Sequence, residues 1–83
     1  MALIVPPDVL SQLMALPKRD RERLLEALEM VAAEPNRRFS FITELVGRPG
    51  AWRLRKGDWR AVYRVRGPDV VVDRVANRRD VYR

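Results

Sequence analysis

The chain has 83 residues, of which 17 are Lys or Arg and 11 are Asp or Glu, with no histidine and no cysteine. That length is at most one small domain with a thin stability margin, and the missing residue types exclude a disulfide framework, thiolate zinc sites, imidazole general bases and the Ser-His-Asp and Cys-His nucleophile systems. A composition 34% charged and 47% apolar is globular, no apolar stretch approaches the ~20 residues of a membrane span, and no basic region leads into a long apolar core as in a secretory signal, so a cytoplasmic protein without a membrane partner is expected.

The first residues, Ala2-Leu3-Ile4-Val5, form a short apolar run that reads as a strand. Pro6-Pro7 ends it, because proline cannot continue a central ladder. Asp8 then suits an N-cap or first-turn position, and Val9, Leu10, Leu13 and Met14 fall on one helical face. Leu16-Pro17 breaks this helix, since the residue before proline is driven out of the α region. A second helix is predicted from Pro17 or Lys18, with Asp20 and Glu22 in the first turn, where the helix dipole favours anions. Leu24, Leu25, Leu28, Val31 and Ala32 form its apolar stripe, and Glu34-Pro35-Asn36 stops it. The pair reads as a helical hairpin. Mixed charge on the second helix (Arg19, Arg21 and Arg23 against Asp20, Glu22, Glu26 and Glu29) argues against a helix-turn-helix DNA reader.

The stretch 36–50 carries Gly47, Pro49 and Gly50 and reads mainly as a loop. From Ala51 the period becomes two. Trp52 and Leu54 alternate with Arg53 and Arg55, Gly57-Asp58 is a two-residue turn of the type II′ kind, and Trp59, Ala61, Tyr63 and Val65 alternate with Arg60, Val62, Arg64 and Arg66. Gly67-Pro68-Asp69 is a second turn, and a third strand runs from Val70 to Val75 or Ala76. With Gly57-Asp58 as the loop, Lys56 opposes Trp59, Leu54 opposes Ala61 and Trp52 opposes Tyr63. These apolar pairs share one face of a half-buried antiparallel sheet.

The same register places Arg55 directly opposite Arg60 on the other face, with Arg53 and Arg64 close by. Like charges opposed in a sheet are destabilising. A thin-margin fold that keeps them there points to a phosphate-bearing ligand, which guanidinium binds bidentately at any working pH. The structural alternative is a solvated face neutralised by Asp58, Asp73 and Asp80. The charge distribution agrees with a polyanion: residues 1–42 hold six basic and six acidic groups, whereas residues 43–83 hold eleven basic and five acidic groups and so the entire net charge of +6. The terminal Asn77-Arg78-Arg79-Asp80-Val81-Tyr82-Arg83 adds a further basic cluster with a phenol in it.

The string from Gly47 to Val65 (Gly-Arg-Pro-Gly-Ala-Trp-Arg-Leu-Arg-Lys-Gly-Asp-Trp-Arg-Ala-Val-Tyr-Arg-Val), followed one strand later by Val75-Ala76-Asn77-Arg78-Arg79-Asp80-Val81-Tyr82, resembles the signature of RelE-type toxins of the RelE/ParE superfamily. The resemblance spans nearly the whole chain and implies one α+β domain over 1–83. Its layout is a short N-terminal strand, a helical hairpin and a three-stranded antiparallel meander, with the helices packed on one face of the sheet. The resemblance also implies a toxin of a type II toxin–antitoxin system: a ribosome-dependent endoribonuclease, or mRNA interferase, that cuts messenger RNA in the ribosomal A site and inhibits translation. The RNA supplies its own 2′-hydroxyl as nucleophile against the adjacent phosphate, so neither a metal nor another cofactor is required.

Residue by residue, the resemblance implies catalytic roles for Arg60 at the scissile phosphate, Arg78 in stabilising the transition state, and Tyr82 in base stacking or proton transfer. It implies RNA binding by Arg53 and Arg55, and the basic character of Lys56, Arg64, Arg79 and Arg83 adds them to that set. The implied partners are a cognate acidic antitoxin, the ribosome and its message. The chain departs from many members by Asn77, where a His or Lys is common, and by ending at Arg83 without a C-terminal helix. The other branch of the superfamily, the ParE-like DNA gyrase inhibitors without RNase activity, and a catalytically silent member are the alternatives.

Overall fold

The computed structural model describes residues 2–77. In chain order they form β1 (Leu3–Ile4), α1 (Pro7–Met14), α2 (Lys18–Ala33), β2 (Ile42–Glu44), β3 (Ala51–Lys56), β4 (Trp59–Arg66) and β5 (Asp69–Asn77). The five strands make one sheet in the order β1-β5-β4-β3-β2, with β1 parallel to β5 and the rest antiparallel. This is the α+β layout expected from the sequence, with one addition. The stretch read mainly as a loop contains β2, which pairs Ile42, Thr43 and Glu44 with Leu54, Arg53 and Trp52. Three residues, one half-buried and two exposed, are too few for a period-two pattern to stand out, and β3 supplies the missing order.

Prolines place both helices. Pro6 and Pro17 are the N-cap residues, with ψ of 156° and 142°, so each brings the chain out of an extended conformation into the first turn. Asp8 and Asp20 lie in those first turns and face the positive ends of the dipoles. Both helices lie on one face of the sheet. Val9 and Leu13 of α1 and Leu24, Ala27, Leu28 and Val31 of α2 pack with Leu54, Ala61, Tyr63, Val70, Val72 and Val75 in one buried cluster. Burying each large aliphatic side chain contributes about 1.5–3 kcal/mol. Val5, Leu25, Phe41, Ile42, Trp52, Trp59 and Val65 seal its rim.

The β3–β4 register is the one the sequence dictates, from Trp52 opposite Tyr63 through Arg55 opposite Arg60 to Lys56 opposite Trp59. Gly57 has φ +61°, and among the described residues no non-glycine residue has a positive φ. A type I′ turn is thereby excluded, because it needs positive φ at both central residues, and the type II′ expectation fits.

The β4–β5 pairing contains an irregularity the periodicity did not disclose. Val62 pairs with Arg74, but Tyr63 pairs with Val72, so Asp73 is an extra residue on β5. The core needs this bulge. Val70, Val72 and Val75 are all buried, and the three-residue step from 72 to 75 cannot be met by strict alternation. Without the bulge, Asp73 would fall opposite Tyr63 and enter the core.

Tyr63 is 1% exposed. Burial disfavours the phenolate and pushes its pKa up to about 12, from an ordinary value near 10. The unfolded chain therefore releases this proton at a lower pH than the folded chain. The stability from this group is complete below pH 10 and is lost as the pH rises to about 12, a loss of about 2–3 kcal/mol. Chemical denaturation across that range is expected to show this decline in the native chain and a smaller one in Tyr63→Phe.

Candidate functional site

The face of the sheet turned away from the helices is a grid of arginines. Across β3, β4 and β5 the first row is Arg55, Arg60 and Ala76, the second Arg53, Val62 and Arg74, and the third Ala51, Arg64 and Val71. Thr43 of β2 extends the second row. Alternation puts these residues on one side, because their neighbours Leu54, Ala61, Tyr63 and Val75 are in the core.

Arg60 does not stand upright beside Arg55. It is 9% exposed, and its Nη1 donates to the carbonyl oxygens of Gly57 at 2.9 Å and Trp59 at 3.0 Å. The guanidinium leans into the hairpin turn while Arg55 is exposed. The opposed like charges thus differ in burial, and the turn carbonyls compensate the Arg60 guanidinium, which offsets the repulsion the register creates. Arg60 is at once a floor of the face and a clamp on the turn between its two main strands.

Arg64 has a dedicated counter-ion. Its Nε donates to Asp73 Oδ2 at 2.8 Å and its Nη2 to Asp73 Oδ1 at 2.9 Å, a bidentate pair. The hydrogen bond to Asp73, and then its charge, hold the Arg64 guanidinium above its ordinary pKa. One of the three carboxylates expected to neutralise this face therefore does so, and the bulge puts it there.

Lys56 belongs elsewhere. It pairs with Trp59 on the helix-facing side of the hairpin, and its Nζ lies 5.1 Å from the centroid of Phe41. Phe41 stacks on Phe39 at 5.0 Å, and Arg37 caps Phe39 at 4.8 Å. Arg38 covers Trp52 at 4.7 Å. These cation–aromatic layers bind the segment after α2 to β3, and only the fold brings their members together. Arg78, Arg79, Tyr82 and Arg83 lie outside the described residues. Asn77, the last of them, pairs with Trp59 at the end of the sheet where Arg60 sits.

Two long-range hydrogen bonds fix the helices against this scaffold. Trp59 Nε1 donates to Asp20 Oδ2 at 3.2 Å, tying the start of β4 to the first turn of α2. The Val75 amide donates to Gln12 Oε1 at 2.8 Å. β1 pairs only with Val70 and Val71, so Gln12 of α1 takes over an edge amide that β1 is too short to reach.

Residues 4–82 match the family described as the ParE toxin of type II toxin–antitoxin systems, parDE. The chain belongs to this toxin family, within the RelE/ParE superfamily. No curated protein matches the sequence. Among solved structures, the toxin is similar to the archaeal RelE–RelB complex from Pyrococcus horikoshii, at 26% identity and a TM-score of 0.78, covering 95% of this chain and 96% of that one. It is similar also to the intact RelBE toxin–antitoxin complex of E. coli, at 28% identity and a TM-score of 0.75, covering 90% of this chain and 93% of that one. The RelB–RelE complex from Methanococcus jannaschii, at 20% identity, shares the fold with a TM-score of 0.79 over 95% of this chain and 94% of that one.

The Asp73–Arg64 pair limits how much positive charge the toxin's arginine face presents. Asp73→Asn is expected to tighten binding of a polyanionic probe several-fold at low salt and to lower the melting temperature only slightly, since exposed pairs add little stability. Fluorescence anisotropy with a labelled oligonucleotide and a thermal melt check both.

Proposed function

We propose that this toxin is a ribosome-dependent endoribonuclease that cuts messenger RNA by in-line attack of a 2′-hydroxyl on the adjacent phosphate. The observation that carries the reading is the arginine face itself, with Arg55 and Arg60 in one row and Arg53 in the next, on a scaffold similar to solved RelE structures at 26–28% identity. In this reaction the P–O2′ bond forms and the P–O5′ bond breaks, leaving a cyclic phosphate and a free 5′-hydroxyl. The protein has to align the attacking oxygen and neutralise the charge that builds on the phosphorane. Guanidinium groups do both without changing protonation state. Arg60 serves the scissile phosphate from its low position, while Arg53 and Arg55 hold the strand. Arg78 and Tyr82, which lie outside the described residues, are assigned by the family signature to the transition state and to base stacking or proton handling. With no imidazole in the chain, arginine is too weak an acid to act as a base near neutral pH, so its part is positional and electrostatic.

The toxin is neutralised by an acidic antitoxin. Support comes from the net charge of +6, from the RelB-bound state of the similar structures, and from apolar side chains left on the surface: Ile4 of β1, Leu10 and Met14 of α1 and Met30 of α2. A partner helix or strand covers such surfaces. Among the described residues no helix is long and apolar enough to cross a membrane, and the proposed place of action is the cytoplasm, with the ribosome.

A second reading follows from the family match, whose description is the ParE toxin: inhibition of DNA gyrase without RNA cleavage. Purified ribosomes carrying a defined message, followed by primer extension, separate the two. Cuts confined to ribosome-occupied codons are expected, falling about 100-fold or more in Arg60→Ala, the usual cost of removing one transition-state donor. Intact message together with blocked gyrase supercoiling would establish the second reading and sink the first.

A further inference from the structure

We propose that Arg74 is an RNA-phosphate ligand of the toxin, acting with Arg53 from opposite sides of Val62 on a single phosphate. The inference rests on the RNA-cleaving reading in naming RNA as the polyanion. The family signature that points to Arg53, Arg55 and Arg60 does not include this position. The register and the bulge do. Val62 pairs with Arg53 on one side and with Arg74 on the other, so the three residues form one row across β3, β4 and β5. The flanking Cα atoms are two strand spacings apart, about 10 Å, and both side chains are long enough to bring their heads over the central valine.

The bulge is what puts Arg74 in that row. Continuing outward from the β4–β5 turn, Val70 and Val72 face the core, and simple alternation would send Arg74 after them. The extra residue, Asp73, reverses the sense of the strand. Arg74 then turns to the arginine face and Val75 takes the core position instead. The same step places Asp73 against Arg64. Two adjacent residues therefore act on the face in opposite ways. Asp73 neutralises the third row, and Arg74 adds a second guanidinium to the second row, next to the row holding Arg55 and Arg60. Positive charge is concentrated towards the hairpin end of the sheet.

Val62 supports this placement. It is 8% exposed although it lies on the side away from the helices, and the residues beside it in the row are Arg53 and Arg74, both half-buried. Arginine stems lie along apolar surface while their heads reach outward. A phosphate over Val62 is within reach of a guanidinium from either side of the row, and the planar fork pairs donors to it in a way that a lysine at either position would not reproduce.

The test uses the full chain and a labelled short single-stranded RNA, with affinity measured by anisotropy over a series of NaCl concentrations. Arg74→Gln keeps the stem over Val62 and removes the charge. Arg66→Gln removes one charge from the far end of the face, opposite Asp69, and serves as the control. Arg74→Gln is expected to weaken binding roughly tenfold and to reduce the slope of log affinity against log salt by about 0.7, the value for one lost phosphate contact on a single strand. Arg66→Gln is expected to change both far less. Arg53→Gln should match Arg74→Gln, and the double variant should lose clearly less than the product of the two, because both remove the same contact.

A native salt slope in Arg74→Gln, or an Arg66→Gln loss equal to it, would overturn the assignment. A fully multiplicative loss in the double variant would overturn the shared phosphate. The cleavage reading fails separately: if the native chain leaves ribosome-bound message intact, that reading falls, while the salt slopes still decide whether Arg74 holds a phosphate.

Discussion

One extra residue in β5 governs both faces of the sheet. Val70, Val72 and Val75 all have to reach the core, and their spacing is incompatible with an unbroken strand. Placing Asp73 outside the regular pairing solves the packing problem. It also decides the charge pattern on the opposite face, because one register shift moves every later side chain to the other side. Core and site are therefore not independent layers. A sheet five strands wide, with helices on one side only, links them through the pleat.

Around that shift, a few polar contacts hold the working face still. Arg60 closes the β3–β4 turn from within the sheet, Trp59 ties the same turn to the start of α2, and Gln12 secures the edge of β5 that β1 leaves uncovered. Each joins the arginine-bearing strands to something rigid. Geometry matters more than usual for a site of this kind. With guanidinium groups unable to exchange protons near neutral pH, whatever catalysis they provide comes from where they are held. The absence of histidine from the whole chain makes that a property of the molecule and not of one position.

The scaffold is the family's, and the chemistry lies in the side chains displayed on it. The match over residues 4–82 makes the chain a toxin of the ParE family, and the likeness to RelE structures extends over almost the whole length of both chains. The surface then carries the functional reading. An arginine face with its positive charge concentrated in two of three rows suits a phosphate backbone, and exposed apolar side chains on β1, α1 and α2 suit a neutralising partner.

Local sequence is enough to place the two helices, through Pro6-Pro7, Pro17 and Glu34-Pro35, and the β3–β4 hairpin, through Gly57-Asp58 and the alternation on either side. Those are local signals, set by proline's fixed φ, glycine's freedom and the pleat, and the opposition of Arg55 and Arg60 follows from them. Other features arise from contacts between segments distant in the chain. β2 is too short to announce itself and exists because β3 offers an edge. The aromatic stack of Phe39 and Phe41 between Arg37 and Lys56 needs a loop and a strand to meet. Arg60 was legible as a face residue but not as the clamp of its own turn, and Arg74 was hidden because the strand containing it changes sense at Asp73. Only the demand that three valines share one core, with Tyr63 beside them, forces that change, and no local pattern encodes a demand made by the far side of the sheet.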